Sequence, residues 1–443
     1  MIRVVQLSTT ESVGGAALAA HRLHDALNAH AGDVRSTLFV GMAQAGGPGV
    51  REFNPAAPAP RGVGRWLFRA GRRLQRRVRT VDGPLFSQDW TVFGRRPLRQ
   101  IPPADVHHLH WTADLVDFRM LAPLARRGPL VWTLHDMNPF TGGCHYDAGC
   151  DRFTTRCGEC PILVAPAGDD ASSQTLRRKH RALAALPDNA LTVVCPSAWL
   201  AGESRRSALF KRFDARVIPN GIDLKMFRPV EDRAAVRDRL GLKPSDRAVL
   251  FVAEIIDDIR KGRRELERVL AETARRLPNL RVLTLGQGDT TGMTGLAFRH
   301  LGKLSDPEAI RDAYAAADLF VIPSLQDNFP NTVIEAMACG TPVAGFATGG
   351  VGDAVEEGVS GTLAPTGDTA RLTDEITHLL NDDPLRAVMG QAARTRAETH
   401  YGLPTQAAAY RALYDELLQN RTAIDSESTM KAAAVRTGEA ALR

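Results

Sequence analysis

Ser324-Leu-Gln-Asp-Asn-Phe-Pro-Asn-Thr-Val-Ile-Glu-Ala-Met-Ala-Cys-Gly-Thr-Pro-Val343 is the stretch whose reading decides the fold. The apolar run Leu319–Ile322 before it reads as a strand. Asp327 then falls in the loop that leaves this strand, Pro330 and Asn331 mark a helix start, and Glu335 lies inside that helix. Pro342–Ala344 follows as the next strand. A strand, helix and strand in such close succession form the unit of a parallel sheet. Peptide N–H groups left open at a helix start can meet an anionic or polyhydroxyl ligand, and carboxylates accept hydrogen bonds from hydroxyls.

The same alternation extends in both directions. The first half offers strands at Ile2–Leu7, Thr37–Val40, Val106–Leu109, Leu130–Leu134 and Leu191–Cys195, and the second adds Val249–Val252 and Arg281–Leu285. Between the two series lies Val217-Ile-Pro-Asn-Gly-Ile-Asp223, whose Asn220-Gly221 suits a turn. The expectation is therefore α/β: two doubly wound domains, residues 1–218 and 219–398, facing a cleft outside the carboxyl ends of their strands. A helix over 399–420 has Tyr410, Leu413, Tyr414, Leu417 and Leu418 on one face to bury on the core, and the tail 421–443 reads as a frayed helix or a disordered segment. The 443 residues, 44% apolar and 24% charged, suit two or three soluble domains and exclude collagen or wholesale disorder. The longest apolar run, Ala248–Ala253, is far short of the roughly 18 residues of a membrane span. The opening Met1-Ile-Arg-Val-Val-Gln-Leu7 reads as a strand rather than a signal peptide, so a cytoplasmic location is expected.

Further motifs converge on one family. Gly14-Gly15 follows the first strand, but it is neither a dinucleotide fingerprint nor a P-loop. Thr133-Leu-His-Asp136, Pro219-Asn-Gly-Ile-Asp223, Arg260-Lys261-Gly262, Leu285-Gly286 with Gly288, and Gly349-Gly350 follow in order. With the 324–343 segment, these resemble the family-four glycosyltransferases of the GT-B fold, of exopolysaccharide or colanic-acid type. The resemblance spans residues 1 to about 420. It implies two Rossmann-like domains and a retaining transfer of sugar from a nucleotide-sugar, held mostly by the second domain, to an acceptor held mostly by the first.

Residue by residue, the resemblance places Glu335 on the donor ribose and Asp327 on hydroxyls of the transferred sugar. Arg260 and Lys261 would neutralise the diphosphate, and His135 would stand beside the sugar. Gly14, Gly15, Gly286, Phe329, Pro330 and Asn331 would complete the donor site. Asp327 stands where the pattern more often has Glu, and the usual arginine ahead of the lysine is absent, with Arg260 as its substitute. The chain lacks the Asp-x-Asp triplet of metal-dependent transferases, so no catalytic metal is expected. A natural-product glycosyltransferase, or a nonenzymatic protein binding nucleotide-sugars or nucleic acid, are the rival readings. The excess of 56 Lys and Arg over 50 Asp and Glu suits anionic ligands without itself arguing for nucleic acid.

Two segments lie outside these motifs. Within the insertion 141–161, Cys144, Cys150, Cys157 and Cys160 have C-x5-C-x6-C-x2-C spacing, which suits a structural zinc; reduced pairs or disulfides are the alternative. Arg61-Gly-Val-Gly-Arg-Trp-Leu-Phe-Arg-Ala-Gly-Arg-Arg-Leu-Gln-Arg-Arg-Val-Arg79 contains no acid. Its Val63, Leu67, Ala70, Leu74 and Val78 step along one helical face, as in a helix lying on an anionic membrane surface. That arrangement would make the protein peripheral at the inner face of the plasma membrane and fits a lipid-linked or oligosaccharide acceptor. The alternative is a domain helix that turns Leu67 and Leu74 inward.

Overall fold

The structure, a computed structural model, describes residues 1–57, 59–75, 78, 80–81, 85–187, 189–288 and 296–440, with the chain from 424 onward described by its backbone. The first domain is a sheet of β1 (Ile2–Thr10), β2 (Val34–Met42), β3 (Val50–Glu52), β4 (Val106–Leu109), β5 (Leu130–Thr133), β6 (Leu191–Cys195) and β7 (Asp214–Val217). The second holds β8 (Arg247–Ile255), β9 (Leu280–Gln287), β10 (Phe298–His300), β11 (Leu319–Ile322), β12 (Val343–Phe346) and β13 (Gly361–Ala364). Their orders are β3-β2-β1-β4-β5-β6-β7 and β10-β9-β8-β11-β12-β13, and every pairing within them is parallel. Each order reverses once, between β1 and β4 and between β8 and β11. A ligand crevice opens at such switch points. The short edge strands β3, β7, β10 and β13 are additions to the strands expected from sequence.

The chain crosses between domains twice, side by side. Ile222 N–H donates to the Tyr401 carbonyl at 2.7 Å, and Leu403 N–H to the Ile222 carbonyl at 3.1 Å. The helix Leu403–Ala440 then returns to the first domain, where Ala407, Tyr410, Leu413 and Tyr414 are buried with Val4, Leu23 and Val106. Tyr414 and His108 Nδ1 are 2.7 Å apart, as are Tyr410 and Thr133. The expected return of the terminal helix is thus present, and of the two readings of 421–443 the helical one holds, since the helix runs on through Ala440.

The helix Arg61–Gln75 is present as expected; Val63 and Leu74 of its expected outward face are exposed, while the alternative, with Leu67 and Leu74 turned inward, is not the one observed. Its inward stripe is Gly64 and Phe68, both buried, and the half-buried Gly71, four and three residues apart. The Phe68 ring stacks on Phe93 at 5.3 Å and covers Gly41, while a side chain at Gly71 would strike Phe93 and Val92. The two glycines let this face approach closely, leaving Val63, Trp66 and Leu74 exposed at 48%, 67% and 51%. Arg65 pairs with Glu52 and Arg72 with Asp114. Of this basic stretch, Arg76, Arg77 and Arg79 lie outside the described residues.

The first domain buries an unusual group of histidines. Burial pushes His107 down to about 4, His108 to about 3 and His135 to about 4, against an ordinary 6.5. Each is neutral in the folded protein and protonates near pH 6.5 once unfolded. Below that pH the unfolded chain binds more protons, so stability falls with pH. We expect the urea midpoint to be level above pH 7 and to drop steadily from pH 6.5 to 4, with proton uptake on unfolding near pH 5.5. A midpoint unchanged across that window contradicts this account.

Candidate functional site

The cleft is built from the loops that leave the switch-point strands. β1 leads to Gly14, which adopts φ 87° and caps the helix Gly15–His30. β4 leads to His110 and Trp111, and β5 to His135 and Asp136. Opposite them, β8 carries Glu254 at its end and leads to the turn Ile259–Lys261, and β11 leads to Asp327 and the helix Asn331–Ala338. The enclosed volume is about 430 Å³, within the roughly 300–1,000 Å³ of small-molecule sites.

Lys261 Nζ is 2.6 Å from Asp327 Oδ2, and the other oxygen of that carboxylate accepts the Asn328 N–H at 3.1 Å. Arg260 lies 2.6 Å from Asp258 and 4.4 Å above the Tyr146 ring. Burial works against the Arg260 charge, but Tyr146, Asp258 and Asp327 more than restore it, so the guanidinium stays cationic. Gly262, at φ 70°, presses so closely on the Pro323 carbonyl that no side chain fits there. This contact sets the Arg260-Lys261 pair over the end of β11, and the Leu325 N–H donates to the Arg260 carbonyl at 2.7 Å.

Glu335 is buried and already held. Arg22 Nη2, from the first domain, donates to Oε1 at 2.8 Å, and the Tyr314 hydroxyl donates to Oε2 at 2.9 Å. The other Arg22 terminal nitrogen, Nη1, is buried without a partner. Asn331 bridges the domains by donating to the Gly15 carbonyl at 3.1 Å while accepting from Asn220 at 3.0 Å. Asn328 does the same, donating to the Leu134 and His135 carbonyls at 3.2 Å and accepting from Ser197 at 2.7 Å.

His135 faces the cleft, neutral, with Nε2 3.1 Å from His110 Nδ1, and the Gln6 amide lies 2.7 Å behind His110. Burial alone would raise the Asp136 pKa. The nearby His145 ring, with hydrogen bonds from His145, Asn138 N–H and Trp111, instead holds it below the usual carboxylate range. Asp136 therefore ties the insertion to the cleft wall.

Of the expected residues, Gly15, His135, Arg260, Lys261, Asp327, Phe329, Pro330, Asn331 and Glu335 line this one cleft. Two do not. Gly14 caps the helix at the cleft's edge, where a side chain would stand 3.5 Å from Glu254. Gly286, at φ 144°, is placed by close approach, because a side chain there would strike the Ala253 carbonyl. Arg22, Trp111, Tyr146 and Tyr314 were not anticipated; no local motif marks them, and they reach the site only through the fold. Cys144, Cys150, Cys157 and Cys160 are free and line one small cavity in the insertion. They do not stand as the ready-made tetrahedron expected: among the described residues, no three Cys, His, Asp or Glu are grouped to hold a metal ion. Burial pushes the Cys144 and Cys157 thiols up to about 12 and about 11, so neither is a ready nucleophile.

Comparison with known proteins follows the same division. Residues 13–226 match the family Glycosyltransferase Family 4, and residues 246–382 match Glycosyl transferases group 1. A D-inositol 3-phosphate glycosyltransferase of Corynebacterium jeikeium is 33% identical over 219 residues, 46% of this chain and 52% of that protein. The chain spans about half the length of the curated relatives it matches. Sucrose-phosphate synthase from Thermosynechococcus elongatus superposes with a TM-score of 0.64 at 22% identity, over 95% of this chain and 100% of that one. Anabaena Alr3699/HepE in complex with UDP-glucose gives 0.63 at 19%, over 95% and 100%. The fold is GT-B, and both halves of the chain carry glycosyltransferase sequence.

Arg22→Ala removes one partner of a buried carboxylate. We expect it to lower the unfolding free energy by about 2 kcal/mol, the order of a charged hydrogen bond. A change below about 0.5 kcal/mol in urea titration contradicts the pairing.

Proposed function

We propose that this chain, glycosyltransferase in sequence through both halves, is a retaining glycosyltransferase that passes a sugar from a nucleotide-sugar to a lipid-linked oligosaccharide in bacterial surface-polysaccharide assembly. The observation that carries the donor half is the meeting of Arg260, Lys261, Asp327, Glu335 and the open amides of the helix Asn331–Ala338 in one cleft. Two cations and a helix start suit a diphosphate leaving group, because positive charge fixed where negative charge develops lowers the barrier. Lys261 and Arg260 would exchange their carboxylate partners for phosphate oxygens. Glu335 retains lone pairs for ribose hydroxyls beyond those used by Arg22 and Tyr314. In the transfer, the anomeric carbon exchanges its diphosphate oxygen for an acceptor oxygen on the same face, and the acceptor proton leaves with the diphosphate. His135, neutral, stands beside the sugar as a hydrogen-bonding group. The nucleotide-sugar complex of the Anabaena neighbour supports this donor class.

The relatives' names raise a second acceptor, a phosphorylated polyol. The first-domain wall argues against it. Among the described residues that line the cleft, that wall offers Trp111, His135, His145 and Tyr146 but no Lys or Arg, and Arg22 behind it is taken up by Glu335, which suits an uncharged sugar ring rather than a phosphate. The lipid-linked reading rests on the helix Arg61–Gln75, whose exposed Val63, Trp66 and Leu74 stand among Arg61, Arg69 and Arg73. Apolar side chains that dip below headgroups, with arginines each worth about 1 kcal/mol at an anionic surface, make a peripheral contact. No helix among the described residues is long and apolar enough to cross a membrane.

With the fold checked by circular dichroism, Glu335→Gln should weaken nucleotide-sugar binding roughly five- to tenfold, since a charge-assisted hydrogen bond becomes a neutral one. Lys261→Ala should cut turnover about a hundredfold. Donor turnover should persist in excess EDTA while the protein stays folded. Variants that bind and transfer like the parent, or strict dependence on added magnesium or manganese, would remove the donor assignment.

In liposome flotation, the protein should rise with anionic vesicles, less so as salt increases. Trp66→Ala with Leu74→Ala should reduce the bound fraction severalfold. Equal flotation with neutral vesicles, or none at low salt, rules out this membrane contact.

A further inference from the structure

The insertion between β5 and the helix Ala171–Ala184 has almost no regular structure over residues 141–170, only the turn Arg152–Thr154. Its apolar core is small, centred on Cys160, Ile162 and Leu163. Its backbone is nevertheless sharply folded around each thiol. Gly143 (φ 134°) precedes Cys144, and Ala148 (50°) and Gly149 (78°) precede Cys150. Gly158 (136°) and Glu159 (47°) separate Cys157 from Cys160. Three described non-glycine residues have positive φ, and two of them are here. Such conformations cost on the order of 1–3 kcal/mol each and persist only where the surroundings impose them. A core of this size offers little to impose them, and small domains of that kind are usually held by a crosslink or a metal.

The four cysteines share one pocket. All four thiols border one cavity of about 20 Å³, room for a single ion-sized occupant, since one water needs roughly 10–15 Å³. Main-chain donors already face two of them: the Gly142 N–H points to Cys157, and the Ile162 N–H to Cys160. N–H groups directed at sulfur are what a metal-bound thiolate requires from its surroundings.

We propose that Cys144, Cys150, Cys157 and Cys160 close on this cavity to hold one structural zinc ion. Rotation about χ1 turns each sulfur inward. Each thiol gives its proton to solvent as its sulfur bonds to the metal, so four protons leave for one Zn²⁺ bound and no electron moves. The role follows from what lies between the first two thiols. Tyr146 packs under Arg260, and Asp147 accepts a hydrogen bond from Gln326, both across the cleft. The zinc would brace the finger that carries these two contacts. This inference is independent of the donor assignment, and its test reads metal rather than transfer.

The experiment uses the full chain, produced with zinc supplied and purified without chelator. We expect about one zinc per chain by plasma mass spectrometry, with an X-ray absorption shell of four sulfurs at roughly 2.3 Å. A mercurial reagent should release the ion, and Cys157→Ser with Cys160→Ser should reduce it below about 0.1 per chain. If that variant does not fold, thiol titration of the native parent decides, because the four cysteines should be protected only while zinc is present. A folded parent carrying less than about 0.1 zinc per chain, with the thiols either free or joined as disulfides, overturns the proposal. So does a zinc shell of oxygen and nitrogen.

Discussion

Two parallel sheets that each reverse strand order once leave two strand ends uncovered by any crossover helix. This constraint governs the rest of the molecule. Because the reversals fall at β1/β4 and β8/β11, the loops free to carry polar groups are those holding Gly15, Trp111, Arg260 and Asp327. The cleft forms when those ends face each other. The bridges across it are made by short amides: Asn328 to the carbonyls of Leu134 and His135, and Asn331 to that of Gly15. Such bonds hold the domains in register at little entropic cost, since asparagine has few rotamers to lose.

The cleft's charges are stored in pairs. Lys261 is joined to Asp327, Arg260 to Asp258 and Arg22 to Glu335. A buried cation without a counter-charge is costly, so a site awaiting an anion must neutralise itself in the meantime. On the proposed reading, a diphosphate does not fill an empty hole. It displaces carboxylates from two cations, and the released Asp327 becomes free to accept sugar hydroxyls. Binding of the anion and readiness for the sugar would then be one event. His110 and His135 on the opposite wall, neutral through burial, add no competing charge.

Whatever could be read from sequence was local. Asp327 and Glu335 were legible because strand, loop and helix follow within twenty residues, and the spacing alone puts both acids at one sheet end. The succession of the major strands along the chain was legible for the same reason. For Gly286 the sequence could not separate ligand approach from packing, and the fold adds the second, because a side chain there would strike the Ala253 carbonyl. In the helix Arg61–Gln75, the apolar periodicity pointed to Leu67 and Leu74, yet Phe68 is the anchor. Gly64 and Gly71 make a groove on its side that hydrophobicity does not register. Arg22 and Tyr314 meet Glu335 from far along the chain. No local pattern announces such contacts, because they arise only when both domains have closed.

The central claim, that the cleft takes a nucleotide-sugar, is tested most directly by thermal denaturation of the intact protein against UDP-, GDP- and ADP-sugars. A ligand bound only by the native state raises its melting temperature in proportion to the logarithm of saturation. The account predicts a clear, concentration-dependent rise with one nucleotide class, reproduced by its free diphosphate and abolished in Arg260→Ala with Lys261→Ala. A well-folded protein whose melting temperature is unmoved by every member of the panel at millimolar concentration would contradict it.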